Sequence, residues 1–212
     1  MTLADKPVLL ILVGTVLVPV AVLALGVVME FIAQAITVVI SFVTGPILAF
    51  AIRTYATYIG TVVHEFSHAA FALATGAKVN KITLIPHGTT LGSVEYTPRG
   101  NSFFQGLQKS LSAVAPTLVG TLLLFLLFTE VRPQLTEVWH HVLFWYLALS
   151  ILFHMDLSLT DLRNFFSGIW SFLAFSLAVT VVLDLVFGAD PLRDHAQQLI
   201  EQYGDPAVLQ TA

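Results

Sequence analysis

His64, Glu65 and His68 fall within the run His64-Glu65-Phe66-Ser67-His68, and no other group in the chain is better placed by residue type and spacing to do chemistry. On an α-helix, positions four apart differ by about 40° in direction, so the two imidazoles stack one turn apart and can share a metal ion. Glu65 lies about 60° from His68 when viewed down the helix, close enough to reach a water on that metal without being a ligand. Two His on Zn²⁺ with a Glu as general base is the chemistry this spacing serves. Short motifs also recur by chance, and a His pair can be no more than a hydrogen-bonded core feature. The setting argues against that blander reading. The motif sits inside the apolar run 55–75, where each ionisable group costs on the order of 2–3 kcal/mol even on the gentler insertion scales. Three together need a compensating role.

The elements that must hold these residues are those of an integral membrane protein. Of 212 residues, 57% are hydrophobic and only 10% charged, against about 25% charged in an ordinary soluble domain. The net charge of −4 and the lack of a basic tract argue against a nucleic-acid partner. With no cysteine in the chain, disulfides, thiol nucleophiles and Cys-ligated metals are excluded, so any metal must be held by His, Asp or Glu.

Taken in order, the apolar runs predict about six transmembrane helices: 8–29, 31–52, 55–75, 111–128, 138–155 and 165–187. Gly45-Pro46 predicts a kink or helix end in the second, and Gly76 a C-terminal cap on the third, the motif helix. The polar loop 76–110 carries Lys78, Lys81, Arg99 and Lys109 against Glu95, which marks it as cytoplasmic. Within it, the β-branched stretches 79–85 and 90–96 flank Pro86-His87-Gly88 and predict a small β-hairpin, with His87 an ordinary loop residue. An exposed strand edge there could accept an unfolded peptide as an added strand. Residues 1–187 read as one membrane domain, and 188–212 as a polar tail. Asp190-Pro191 starts a short amphipathic helix in that tail, with Leu192, Ala196, Leu199, Ile200 and Tyr203 on one face.

A catalytic zinc normally has three protein ligands and an open position for water. Asp156 and Asp161, which follow the fifth crossing, are the candidates for the third ligand; five residues apart on one helix, they would point in different directions. Asp161 also has a structural reading, since Ser158-x-x-Asp161 has the form of a capping box, and Asp156 reads equally well as a hydrated residue at the membrane boundary. If loop 76–110 is cytoplasmic, the motif helix enters from outside and the fifth crossing returns to the same side. Both aspartates then arrive on the side of His68.

From residue 55 to 168 the chain resembles the site-2 protease family of intramembrane zinc metalloproteases. His64-Glu65-Phe66-Ser67-His68-Ala69-Ala70 followed by Gly76-x-Lys78-Val79 is similar to that family's His-Glu-x-x-His-Ala helix leading into a glycine and a short β region. Ser112-Ala113-Val114-Ala115-Pro116 resembles a degenerate Gly-Pro segment, and an Asp follows the second His by about 90 residues, at the start of a later helix. Here it stands in Thr160-Asp161-Leu162, where the family has Leu-Asp-Gly. The resemblance implies one Zn²⁺ on His64, His68 and Asp161, with Asp156 the second choice, and Glu65 as general base. It implies peptide-bond hydrolysis in or next to a transmembrane segment of another protein. The chain is expected in the plasma membrane, with the active site nearer the cytoplasmic side on which the basic loop lies. Two other classes use related parts. A metal-ion transporter needs polar residues along a whole path, which crossings two and four lack, and a catalytically silent scaffold of the same fold has no need of a complete His-Glu-x-x-His.

Overall fold

The computed structural model describes residues 7–86 and 91–187, so the hairpin turn at His87 and the amphipathic tail helix lie outside the described residues. The described residues fall into two compact units, one within 20–172 and the other made of 7–19 with 173–187. Every candidate site residue belongs to the first.

The apolar runs 8–29 and 31–52 are not two separate crossings. A single helix, α1 (Pro7–Thr44), passes through both, and its 38 residues at 1.5 Å each extend about 57 Å, nearly twice a hydrocarbon core of about 30 Å. Glu30 does not end the helix because its charge is met from the side. Gln34, one turn on, donates to its carboxylate, and Arg53 Nη2 lies 3.4 Å from Oε2. The break comes instead at Gly45-Pro46, where Gly45 takes φ 81°, a conformation open to a residue without Cβ, and α2 (Pro46–Ala51) follows. Among the described residues, two helical stretches are long and apolar enough to cross a membrane, Ile11–Thr44 and Ser102–Gln134. The number rises to four if each bent pair, Pro46–Ala56 with Tyr58–Ala74 and Leu159–Ser167 with Ile169–Val182, is one span. The described residues thus give two to four candidate spans, with Val138–Leu152 a shorter apolar helix, and do not confirm the expected six.

The motif helix is α3 (Tyr58–Ala74). A wider π-type turn, Ile52–Ala56, leads into it, and the axis bends by 60° at this point, a discontinuity frequent at functional sites. At the other end Gly76 takes φ 91°. Its N–H donates to the Leu73 carbonyl at 2.9 Å and the Ala77 N–H to the Ala72 carbonyl at 2.8 Å, a Schellman cap. The chain then enters the hairpin of β1 (Lys78–Thr83) and β2 (Ser93–Thr97), paired antiparallel with Val79 opposite Tyr96, Ile82 opposite Val94 and a bulge at Asn80. Both strands stop short of the expected turn.

The next helix, α4 (Ser102–Leu126), begins at Ser102 instead of Leu111, because the Asn101 side chain accepts the Phe104 N–H at 3.1 Å and caps it early. The last part of the expected loop is thus helical. Buried Gln108 accepts the Arg99 N–H at 2.8 Å and donates to the Thr75 and Arg99 carbonyls at 3.0 and 3.1 Å, fastening the loop to the end of α3. After α5 (Val138–Leu152), a non-helical stretch leads to α6 (Leu159–Ser167) and α7 (Ile169–Phe187). Phe165, fully buried, packs with Ala113, Val114 and Phe172 as the core that seats α6 on α4.

Close helix contact depends on two glycines. A Cβ at Gly60 would lie 1.9 Å from the Ser150 carbonyl oxygen, and one at Gly168 would lie 2.0 Å from that of Gly106. Gly60→Ala is expected to push α3 from α5 and cost about 1–3 kcal/mol. The check is a thermal unfolding series in detergent, where an unchanged midpoint would contradict this contact.

Candidate metal centre

His64 and His68 leave α3 on one face and are each held from behind. His64 Nδ1 lies 2.6 Å from the His154 carbonyl oxygen, and His68 Nδ1 lies 2.7 Å from that of Ser112. A carbonyl can only accept, so in the neutral rings both Nδ1 atoms carry the proton and both Nε2 atoms present lone pairs. Those two Nε2 atoms are 3.0 Å apart. Lone pairs at that distance repel unless a cation lies between them. Ser112 strengthens the arrangement, its Oγ donating back to the His68 carbonyl at 3.0 Å.

Asp161 serves two purposes because a carboxylate has two oxygens. Oδ2 accepts the Ser158 N–H at 3.1 Å and the Ser158 hydroxyl at 2.6 Å, while the Asp161 N–H donates to Ser158 Oγ at 3.1 Å, completing a capping box on α6. Oδ1 points the other way, 3.4 Å from His68 Nε2. His64, His68 and Asp161 each offer one ligand atom, all within 4.8 Å of one another. Tetrahedral zinc with ligand bonds of about 2.0–2.1 Å sets its ligand atoms about 3.3 Å apart, and the 3.0 and 3.4 Å separations bracket that spacing. The donor set, two imidazoles and a carboxylate already oriented by their outer hydrogen bonds, suits zinc. Because Ser158 supplies two of the bonds that aim Asp161, Ser158→Ala is expected to weaken zinc affinity by about 10–100-fold and to cost about 1 kcal/mol of stability. Zinc titration against a competing chelator reads the first effect, and unaltered affinity would contradict it.

Asp156 lies elsewhere. Its Oδ2 is 3.5 Å from Arg53 Nη2, which also reaches Glu30, and its Oδ1 is 3.9 Å from His64 Nδ1, behind the ring and away from Nε2. Glu65 is buried and makes no hydrogen bond or ion pair among the described residues. It faces a cavity of about 460 Å³ lined also by His64, His68, Tyr96, Asp161 and Asn164. Gly92, just before β2, packs directly on Glu65: a Cβ there would lie 2.6 Å from Glu65 Cγ.

Several of these neighbours carry no mark in the sequence. The carbonyls of Ser112 and His154 are backbone groups, and Arg53 and Glu30 look like mere punctuation between apolar runs. Tyr96 reads as a strand residue. Its phenol lies within reach of the Ser112 side chain, and burial pushes its pKa up. The β-period does place Gly92, Val94 and Tyr96 on one face, which was a usable signal.

Residues 31–199 match the family model described as Peptidase M50B-like. No curated protein and no solved structure matches the chain.

Proposed function

Because the chain belongs to the Peptidase M50B-like family, a site-2 protease family of membrane proteins, we propose that it is an intramembrane zinc metalloprotease that cuts peptide bonds in or next to transmembrane segments of other membrane proteins. The observation that carries this reading is the pair of Nε2 lone pairs 3.0 Å apart, with Asp161 Oδ1 beside them and an uncommitted Glu65 one residue away. His64, His68 and Asp161 would hold the zinc, which when bound acidifies water and polarises a carbonyl. Glu65 accepts a proton from the attacking water as its oxygen bonds to the peptide carbonyl carbon. It returns that proton to the nitrogen as the C–N bond breaks, so peptide and water become carboxyl and amine. The Ser112 and His154 carbonyls keep the two rings in the orientation this requires.

The hairpin supplies a reason for the substrate to lie there extended. β2 pairs with β1 along one edge, and residues 91–94 and 96 line the cavity. A substrate segment unwound from its helix and added to the other edge would bring its backbone beside Glu65. The basic residues of loop 76–110 support an active site toward the cytoplasmic side, and the plasma membrane is the membrane proposed for it. The lipid bilayer is then the second partner, and nucleic acid has no place in this reading.

Reconstitution of the full chain in vesicles with a membrane protein whose transmembrane segment contains helix-breaking residues tests the proposal. Fragments with termini in or beside that segment are expected. Zinc flux into the vesicles without proteolysis would overturn the reading in favour of transport.

A further inference from the structure

We propose that Tyr96 is a catalytic residue, its phenolic O–H donating to the oxygen that becomes an oxyanion when water adds to the scissile carbonyl. This rests on the protease reading above. Attack of water turns a neutral carbonyl oxygen into an anion, and a donor preset for that charge is typically worth about 10²–10³ in rate. Most donors around the cavity are already engaged. Ser112 Oγ donates to the His68 carbonyl, Ser158 Oγ to Asp161, His154 Nδ1 to the Ser150 carbonyl, and Arg53 to Glu30 and Asp156. Tyr96 lines the same cavity, and the Ser112 side chain within reach of its phenol has its own proton committed to the His68 carbonyl.

Position favours it further. Gly92, Val94 and Tyr96 alternate onto one face of the β2 segment. On that face Gly92 sits against Glu65, and the phenol of Tyr96 lies beside Ser112, whose carbonyl holds His68, and near enough to Asp161 to feel its charge. One strand face therefore spans the base and the ligand set. With an ordinary pKa of about 10, a phenol keeps its proton at neutral pH and can give it to a hydrogen bond without transferring it. Other donors also line the cavity, among them Thr61 Oγ1 on α3, unpartnered among the described residues, and, on α6, Thr160 and Asn164, the latter one turn beyond Asp161; these lie on the helices that carry the base and the ligands and not on the strand face that crosses the base.

The test compares Tyr96→Phe and Asn164→Ala with the wild type in the zinc-loaded full chain. It reads kcat and KM on a cleaved membrane substrate, zinc per chain, and affinity for a phosphinic peptide, whose tetrahedral anion mimics the oxyanion. For Tyr96→Phe the expected result is unchanged zinc, kcat lower by about 100-fold, KM within about twofold, and a matching loss of phosphinic-peptide affinity. Asn164→Ala should leave all four nearly unaltered. The assignment is overturned if Tyr96→Phe keeps kcat and phosphinic-peptide affinity, if it loses zinc, or if the loss appears in Asn164→Ala instead. A wild type that binds zinc and cleaves while Tyr96→Phe does so equally well sinks only the role of Tyr96. A wild type that neither binds zinc nor cleaves sinks the protease reading and Tyr96 with it.

Discussion

Glu65→Gln is expected to hold one zinc per chain, as the wild type does, and to cleave about 10²–10⁴-fold more slowly, the usual worth of a positioned general base. The substitution is nearly isosteric, which matters because Gly92 packs against the Glu65 side chain with no room to spare. It also breaks no structural bond, since Glu65 makes no hydrogen bond or ion pair among the described residues. A carboxamide can occupy the same space but cannot take a proton from water. Fold and metal site should therefore survive while the proton transfer is lost. Zinc content and cleavage measured on the same preparation separate the two effects, and full activity in Glu65→Gln would remove Glu65 from the mechanism.

The second large effect distinguishes the two aspartates. Asp161→Ala removes Oδ1 from beside His68 Nε2 and also leaves the Ser158 N–H and hydroxyl without their acceptor. Zinc per chain is expected to fall close to zero. Asp156→Ala takes away a carboxylate that faces Arg53 and stands behind His64, so it acts on the ring's surroundings and not on a ligand atom. Zinc should remain, with affinity lowered by about 10-fold, as for other outer-shell partners. Zinc retained by Asp161→Ala and lost from Asp156→Ala would reverse the assignment.

Spacing and setting made the His and Glu positions legible, because a helix aligns residues four apart and apolar surroundings leave polar groups few other uses. The geometry at Asp161 was only half legible. Its sequence context supports either a cap or a ligand, and the structure shows that one oxygen serves the cap while the other faces the histidines. The continuity of α1 was hidden because the partner that neutralises Glu30, Arg53, lies 23 residues further on, beyond the reach of local patterns. The early start of α4 could have been read from Asn101, a good N-cap just before Ser102. The carbonyls behind His64 and His68 could not, since every residue has one and only the fold decides which meets a ring.

The most direct test of the central claim is metal analysis coupled to cleavage: zinc per chain in the purified wild type, and proteolysis of a reconstituted membrane substrate before chelation, after chelation and after zinc is restored. The structure leads us to expect one zinc per chain, with activity abolished by the chelator and recovered on adding zinc. Cleavage that persists in fully metal-free protein would contradict it.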